Sequence, residues 1–330
     1  MARPANTRTT YGAIGMREDL SNVIYNISPT DTPFMSSAGK ESCDSTFFEW
    51  ETDVLQAAAA NRLIEGDDVA STAVSEPTRV GNYTQISGKA VQTSGTAEAV
   101  DFAGRKSSQA YQLAKRAKEV KRDMEKMLMD NVAKAVPAAY AAGTAGQPTG
   151  DTRITAGLGA WVGTNTSHGT GGAACVGANG TAITTDAIAA NLRAVSEAQM
   201  KTIIKECYDE GASPDTIMVG PANKQSISAL TQSVSPLRTD TKGDKQASVI
   251  AAVDVYVSDF GTLKVVPNRF QRARDAWFFD FDFWAISYLR PFQTLEIART
   301  GDSVKQLLVA EYGLVSKNEK ASGCIYDLTS

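Results

Sequence analysis

Between residues 107 and 136, apolar side chains recur at spacings of three and four: Leu113, Ala117, Val120, Met124, Met127/Leu128 and Val132. That period predicts an amphipathic helix, closed by Pro137. About thirty residues at 1.5 Å each would make a rod on the order of 45 Å long. Its other face carries Lys115, Arg116, Lys118, Glu119, Lys121, Arg122, Asp123, Glu125 and Lys126. Opposite charges there pair as Glu119–Arg122 and Asp123–Lys126, and mixed signs of this kind suggest a solvated face over a nucleic-acid stripe. A second helix is predicted over 185–210, with Ile188, Leu192, Val195, Ile203 and Cys207 on its apolar face and Gly211 as its stop.

Elsewhere the period falls to two. Residues 45–55 alternate around Phe48, Trp50 and Thr52, and a second alternating run covers 79–97 after Pro77. Residues 56–76 join them, with a turn expected at Gly66. The result is a long hairpin in which Thr, Ser, Gln, Asn and Gly dominate the second strand. A two-stranded ribbon of that composition is marginal alone in water, so a partner chain is expected to complete it. A strand at 216–219, a small helix around 223–230 and a hairpin of 253–258 with 263–266 follow. The run Phe279-Asp280-Phe281-Asp282-Phe283 predicts a strand with one aromatic and one carboxylate face. Two more strands are expected at 294–299 and 305–315, and a last apolar pair near 324–328. Residues 1–40 are polar and broken by Pro4, Pro29 and Pro33; apart from a short helix at 17–27 they form an arm that must lie on something else. Residues 154–185 contain no charged side chain and eight glycines, which suggests an irregular insertion on the surface. Helices mixed with small sheets, without regular βα alternation, make the fold class α+β.

Composition narrows function mainly by exclusion. Across 330 residues, 33 Lys+Arg against 37 Asp+Glu give a net charge of −4, so the surface as a whole does not clamp nucleic acid. The length suffices for two modules. Four separated cysteines, Cys43, Cys175, Cys207 and Cys324, point to reduced thiols and not to a disulfide or zinc framework. The first twenty residues show no apolar run of a signal peptide, and the glycines at 157–180 break the one stretch long enough to span a bilayer. No GxSxG elbow or GxxxxGK[ST] cradle is present. A GxGxxA match at 169–174 follows a polar stretch instead of a strand, where a dinucleotide fingerprint would not function. His168, the one histidine, is expected in an exposed loop. Glu65, Asp67 and Asp68 read as an acidic hairpin tip, and Asp280 with Asp282 as strand carboxylates facing a basic neighbour or water. No catalytic, cofactor-binding or metal site is expected.

The order of parts, and the phrases Arg17-Glu18-Asp19-Leu20-Ser21-Asn22, Ile27-Ser28-Pro29-Thr30-Asp31-Thr32-Pro33-Phe34, Glu65-Gly66-Asp67-Asp68 and Asn318-Glu319-Lys320-Ala321-Ser322-Gly323, resemble the major capsid proteins of tailed bacteriophages, the Hong Kong 97-type fold. The resemblance covers nearly the whole chain. It implies an N-terminal arm (1–41), an extended β-hairpin loop (42–97), a peripheral domain with a long spine helix (98–145) and an axial domain with the Gly-rich insertion (146–265). Returning peripheral strands (266–317) and a C-terminal closure on the axial domain (318–330) complete it. It further implies a structural, non-enzymatic subunit of an icosahedral shell of pentamers and hexamers. Such a shell is assembled in the host cytoplasm around nonspecifically held double-stranded DNA, and it has a portal, a separate scaffolding protein and decoration proteins as partners and no membrane. Arg3, Arg8 and Arg17 would face the lumen and meet phosphate. Lys89 falls in the loop region, but no asparagine partner or catalytic acid for a crosslink is identifiable. The alternatives are an encapsulin-type nanocompartment shell and a hydrolase or binding module using the 154–185 loop.

Overall fold

The computed structural model describes residues 28–62, 65–66, 68, 74, 76–102, 105–136, 152–234, 239–240, 248–249, 254–299 and 301–329. In chain order the elements are α1 (Pro33–Ser37), β1 (Gly39–Ser42), β2 (Phe47–Thr52), β3 (Thr78–Tyr83), β4 (Gln85–Ser94), α2 (Gly95–Ala99) and α3 (Ser108–Leu128). They continue with β5 (Thr166–Ser167), α4 (Glu197–Asp209), β6 (Thr216–Val219), α5 (Pro221–Val234), β7 (Thr239–Asp240) and β8 (Ser248–Val249). The last are β9 (Val255–Ser258), β10 (Gly261–Pro267), β11 (Ala276–Phe279), β12 (Trp284–Ile297), β13 (Ser303–Ser316) and β14 (Gly323–Ile325).

Two larger sheets organise these elements. One has the order β1-β12-β13-β4, and α3 lies across β4 and β13. The other has the order β5-β14-β11-β6-β10-β9, with α4 against β14 and β5 and α5 against β10. Successive side chains of a strand point to opposite faces, and the second sheet uses both. Met218, Trp277, Phe279, Cys324 and Tyr326 enter the core shared with α3 and the first sheet. Their neighbours Ile217, Val219, Ala276, Phe278 and Ile325 enter a second core under α4, with Met200, Ile203, Ile204 and Cys207. Strands buried on both faces read as continuous apolar runs, which is why Thr216–Val219 and Ala276–Phe279 lack alternation.

The helix expected over 107–136 starts as predicted but ends earlier. Ser107 accepts the Ala110 N–H as N-cap, and the helix stops at Leu128, so it is 21 residues long. Asp130 turns its carboxylate onto the Asn131 N–H (2.8 Å), a side-chain bond to the main chain that competes with helix. Asn131 is then held by Thr184 in both directions, and Val132 accepts the Gly157 N–H. The helix expected over 185–210 begins only at Glu197. A reciprocal capping box between Ser196 and Gln199 sets its start, and the donors of Ala187 and Arg193 are already committed to Asp327.

Three further expectations are corrected. The 154–185 segment is not a surface insertion in its first part: Ala156, Leu158, Ala160, Trp161 and Val162 are core residues. The 279–283 run is not a strand beyond Phe279. Asp280 caps a single 3-10 turn by accepting the Asp282 N–H (3.3 Å), so Asp280 and Asp282 do not share a strand face. The predicted second ribbon strand is two strands. β3 pairs with β2, but after Thr84 the chain leaves the ribbon and β4 joins β13 over ten residues. The strands expected at 294–299 and 305–315 are the outer parts of longer ones, β12 and β13, whose register shifts around Pro291, a residue with no ladder donor.

Candidate functional site

The residues singled out for chemistry are dispersed. Among the described residues no three His, Cys, Asp or Glu side chains gather as metal ligands. All four thiols are free, and burial pushes Cys175 up to about 11 and Cys207 to about 12, far from a nucleophilic range. Glu65 and Gly66 form a turn, with Gly66 at φ +82°, while Asp67 lies outside the described residues. Arg3, Arg8, Arg17 and the helix expected at 17–27 lie outside them as well.

His168 is not an exposed loop residue. Its ring stacks on Tyr326 (4.8 Å between centroids, 12° between planes), and Asp327 approaches Nδ1 at 3.8 Å. Burial holds its pKa below the usual histidine value. Asp327 is fully buried at φ +60° and accepts the N–H groups of Gly169 (3.0 Å) and Ala187 (2.8 Å). The pair therefore fastens the C-terminal segment to the 166–187 region. Neither ring nitrogen of His168 has a hydrogen-bond partner among the described residues.

What the molecule does present is surface for other chains. The ribbon of β2 and β3 stands on an aromatic base: Trp50 contacts Trp161 (5.3 Å) and Phe48 (5.9 Å). Gly313 of β13 leaves room for the Phe48 ring, which a Cβ there would strike. Beyond Thr52 the chain runs through 53–62 in neither helix nor strand, with every residue exposed. Leu55 is 93% exposed and Val54 57%, beside the four alanines Ala57, Ala58, Ala59 and Ala60. Covering such side chains stabilises by roughly 1.5–3 kcal/mol for each Leu or Val. A second apolar patch lies at the edge of the six-stranded sheet. Val255 and Val257 of β9 are exposed, and Phe260 packs on Tyr208 (4.8 Å) beside them. An exposed edge strand with apolar side chains is a pairing surface.

The arm is anchored where it meets α3. Phe34 is fully buried against Phe279 (5.4 Å), Phe281 and Trp284. Glu125, placed by helical period on the charged face, is fully buried instead. It accepts the N–H groups of Phe34 and Met35 (2.9 Å each) and of the Asn268 amide (2.7 Å). Burial raises its pKa against these three bonds. Spacing alone could not reveal it, because its partners lie 90 or more residues away.

Against known proteins, the sequence matches the family model described as SU10 major capsid protein over residues 3–329. It is 30% identical, over 96% of both chains, to the major capsid protein of Escherichia phage Phieco32. Among solved structures, the capsid of cyanophage A-1(L) superposes with a TM-score of 0.67 at 13% identity, covering 96% of this chain and 98% of that one. An encapsulin shell complex of Synechococcus elongatus superposes at 0.56 with 8% identity, covering 96% of each chain. At these identities the structural likeness speaks for an α+β capsid fold alone. The family match and the Phieco32 relative favour the phage proteins over the encapsulin.

Proposed function

The chain belongs to the SU10 family of major capsid proteins and is a structural subunit of a phage capsid shell; from that premise we propose how its parts build the shell. The shell is icosahedral, made of pentamers and hexamers of this chain, and it encloses double-stranded DNA in the virion after assembly in the host cytoplasm. Residues 1–41 act as the arm, 42–97 as the extended loop with its flanking strands, of which β4 has already rejoined the sheet beside β13, and 98–145 as the peripheral domain with α3 as its spine. Residues 146–265 act as the axial domain, 266–317 as the returning segment, whose β12 and β13 are peripheral strands while β11 pairs with β6 and β14, and 318–330 as the closure. A portal and a separate scaffolding protein are its partners, and Arg3, Arg8 and Arg17 face the packaged DNA. The subunit catalyses nothing; its work is geometry.

One observation carries this reading. The 53–62 run leaves a ribbon rooted in the core and exposes Val54 and Leu55 to water. One chain must occupy nonequivalent positions, so head-to-tail contacts that close only over the whole particle suit it. Many such contacts, each weak, add up through multivalency. Sedimentation and negative-stain electron microscopy of the purified chain test this. Curved particles or ring-shaped capsomers are expected; a monodisperse small oligomer at every concentration and salt would contradict it.

A further inference from the structure

The helix α3 contains six cations and three acids, and the structure shows where each acid goes. Glu125 is turned inward and spent on Phe34, Met35 and Asn268. Glu119 accepts from Arg116 (2.6 Å) and from Lys89 of β4 (3.3 Å), and Lys89 also meets Asp123 at 2.6 Å. The pairs expected within the helix, Glu119–Arg122 and Asp123–Lys126, are therefore not the ones formed. Of the six cations only Arg116 has an ion-pair partner among the described residues; Lys121 lies over the Phe292 ring (5.7 Å), and the remaining cations are Lys115, Lys118, Arg122 and Lys126.

These four follow one another at steps of three, four and four, which puts them on one face of the helix. The face is opposite the buried side formed by Val120, Met124 and Leu128. Steps of three and four rise about 4.5–6 Å, so the stripe runs for roughly 16 Å. Arg122 sits over the Phe270 ring (5.8 Å), which orients its guanidinium. Beside the stripe is a groove of about 130 Å³ whose charged lining is Lys115, Lys118, Arg122 and one acid, Glu119. Glu119 is already committed to Arg116 and Lys89, so three cations border the groove against one acid that is paired elsewhere.

We infer that this stripe is a phosphate-backbone contact of the packaged nucleic acid, which makes the outward face of α3 lumenal. The inference rests on the shell reading and deepens it, because it places DNA contact on a rigid helix as well as on the arm. The contact reads no sequence; four cations track phosphates and displace their counterions, so its signature is salt dependence.

The test is fluorescence anisotropy of the dispersed chain with a 30-base-pair duplex of arbitrary sequence across a salt series. The protein is compared with a variant carrying Lys115→Ala, Lys118→Ala, Arg122→Ala and Lys126→Ala. The double variant Lys201→Ala/Lys205→Ala on α4, whose lysines are exposed and ion-paired to Glu197 and Asp209, is the control. At about 0.9 per phosphate, the four-site variant should lower the slope of log K against log salt by about 3.6. The unsubstituted chain should then lose about 150-fold more affinity between 50 and 200 mM salt than the variant. Circular dichroism confirms that the variant is folded. An unchanged slope, an equal drop in the α4 control, or poly-glutamate binding as tight as the duplex would overturn the assignment, the last in favour of an acidic polypeptide partner. Because the slope is measured on dispersed chains, it decides the stripe whether or not shells form; shell formation, scored separately by microscopy, decides the subunit reading.

Discussion

Asp275 is almost fully buried, and burial pushes its carboxyl up from the ordinary 3.8 to about 7 even though Arg272 stands 3.6 Å away. Neither carboxylate oxygen has a hydrogen-bond partner, while Arg272 is bound more closely by Asp186 at 2.6 Å. A native pKa above the unfolded one means that the folded chain binds the proton more tightly. Its contribution is fully present below about pH 4 and is lost as pH rises through about 7. By pH 8 the ionised group costs on the order of 4 kcal/mol relative to acid conditions. Asp275→Asn removes the ionisation and keeps the shape. Urea unfolding should show the variant more stable than the unsubstituted chain at pH 8, with the difference shrinking toward zero as pH falls to 4. A variant weakened equally at both pH values would mean that Asp275 works as a charged anchor. Nothing in the sequence flags Asp275 or Glu125, because burial of a single acid depends on which distant segments close over it.

At the level of elements, period and caps carried most of the information. The start of α3, strand β6, the β9–β10 hairpin and the β2–β3 pairing follow from local pattern, since the forces that set them act within a few residues. Elements set by distant bonds were not legible. The apolar period past Leu128 continues to Val132, yet Asn131 and Val132 are taken by Thr184 and Gly157. Gly157 and Gly159, two of the glycines that suggested an irregular surface, instead let that segment pack against the residues at the end of α3. A Cβ on Gly157 would collide with the carbonyl oxygens of Asp130 and Met127. Gly157→Ala should therefore displace the segment that carries Leu158 and Trp161 into the core. A loss of about 2–5 kcal/mol is expected in urea unfolding, comparable to emptying a large core site. A change within 0.5 kcal/mol would show that the segment is not seated as described. The surfaces for other chains were half legible: polar composition marked the ribbon as incomplete, but the division at Thr84 needed the β4–β13 pairing to be seen.

Over the whole molecule, two cores share one sheet, and that rigid body carries the arm at one end of α3 and the ribbon beside it. The shared sheet fixes the geometry between them, so a subunit can offer the same surfaces in every position while the exposed 53–62 run adjusts. Covering Val54 and Leu55 on a neighbour gives a modest gain per contact, which a closed lattice multiplies. The charge accounting on α3 belongs to the same picture, since a helix that binds the arm on one flank and presents unpaired cations outward orients the subunit toward its contents. Hydrogen exchange of residues 53–62, measured by mass spectrometry in dispersed subunits and again in assembled particles, addresses the central claim most directly. Backbone amides there should exchange at near-unprotected rates in the subunit and become protected at least 10-fold on assembly, while β12 and β13 stay protected in both. Equal exchange of 53–62 in the two states would contradict a shell in which this segment is completed by neighbouring copies.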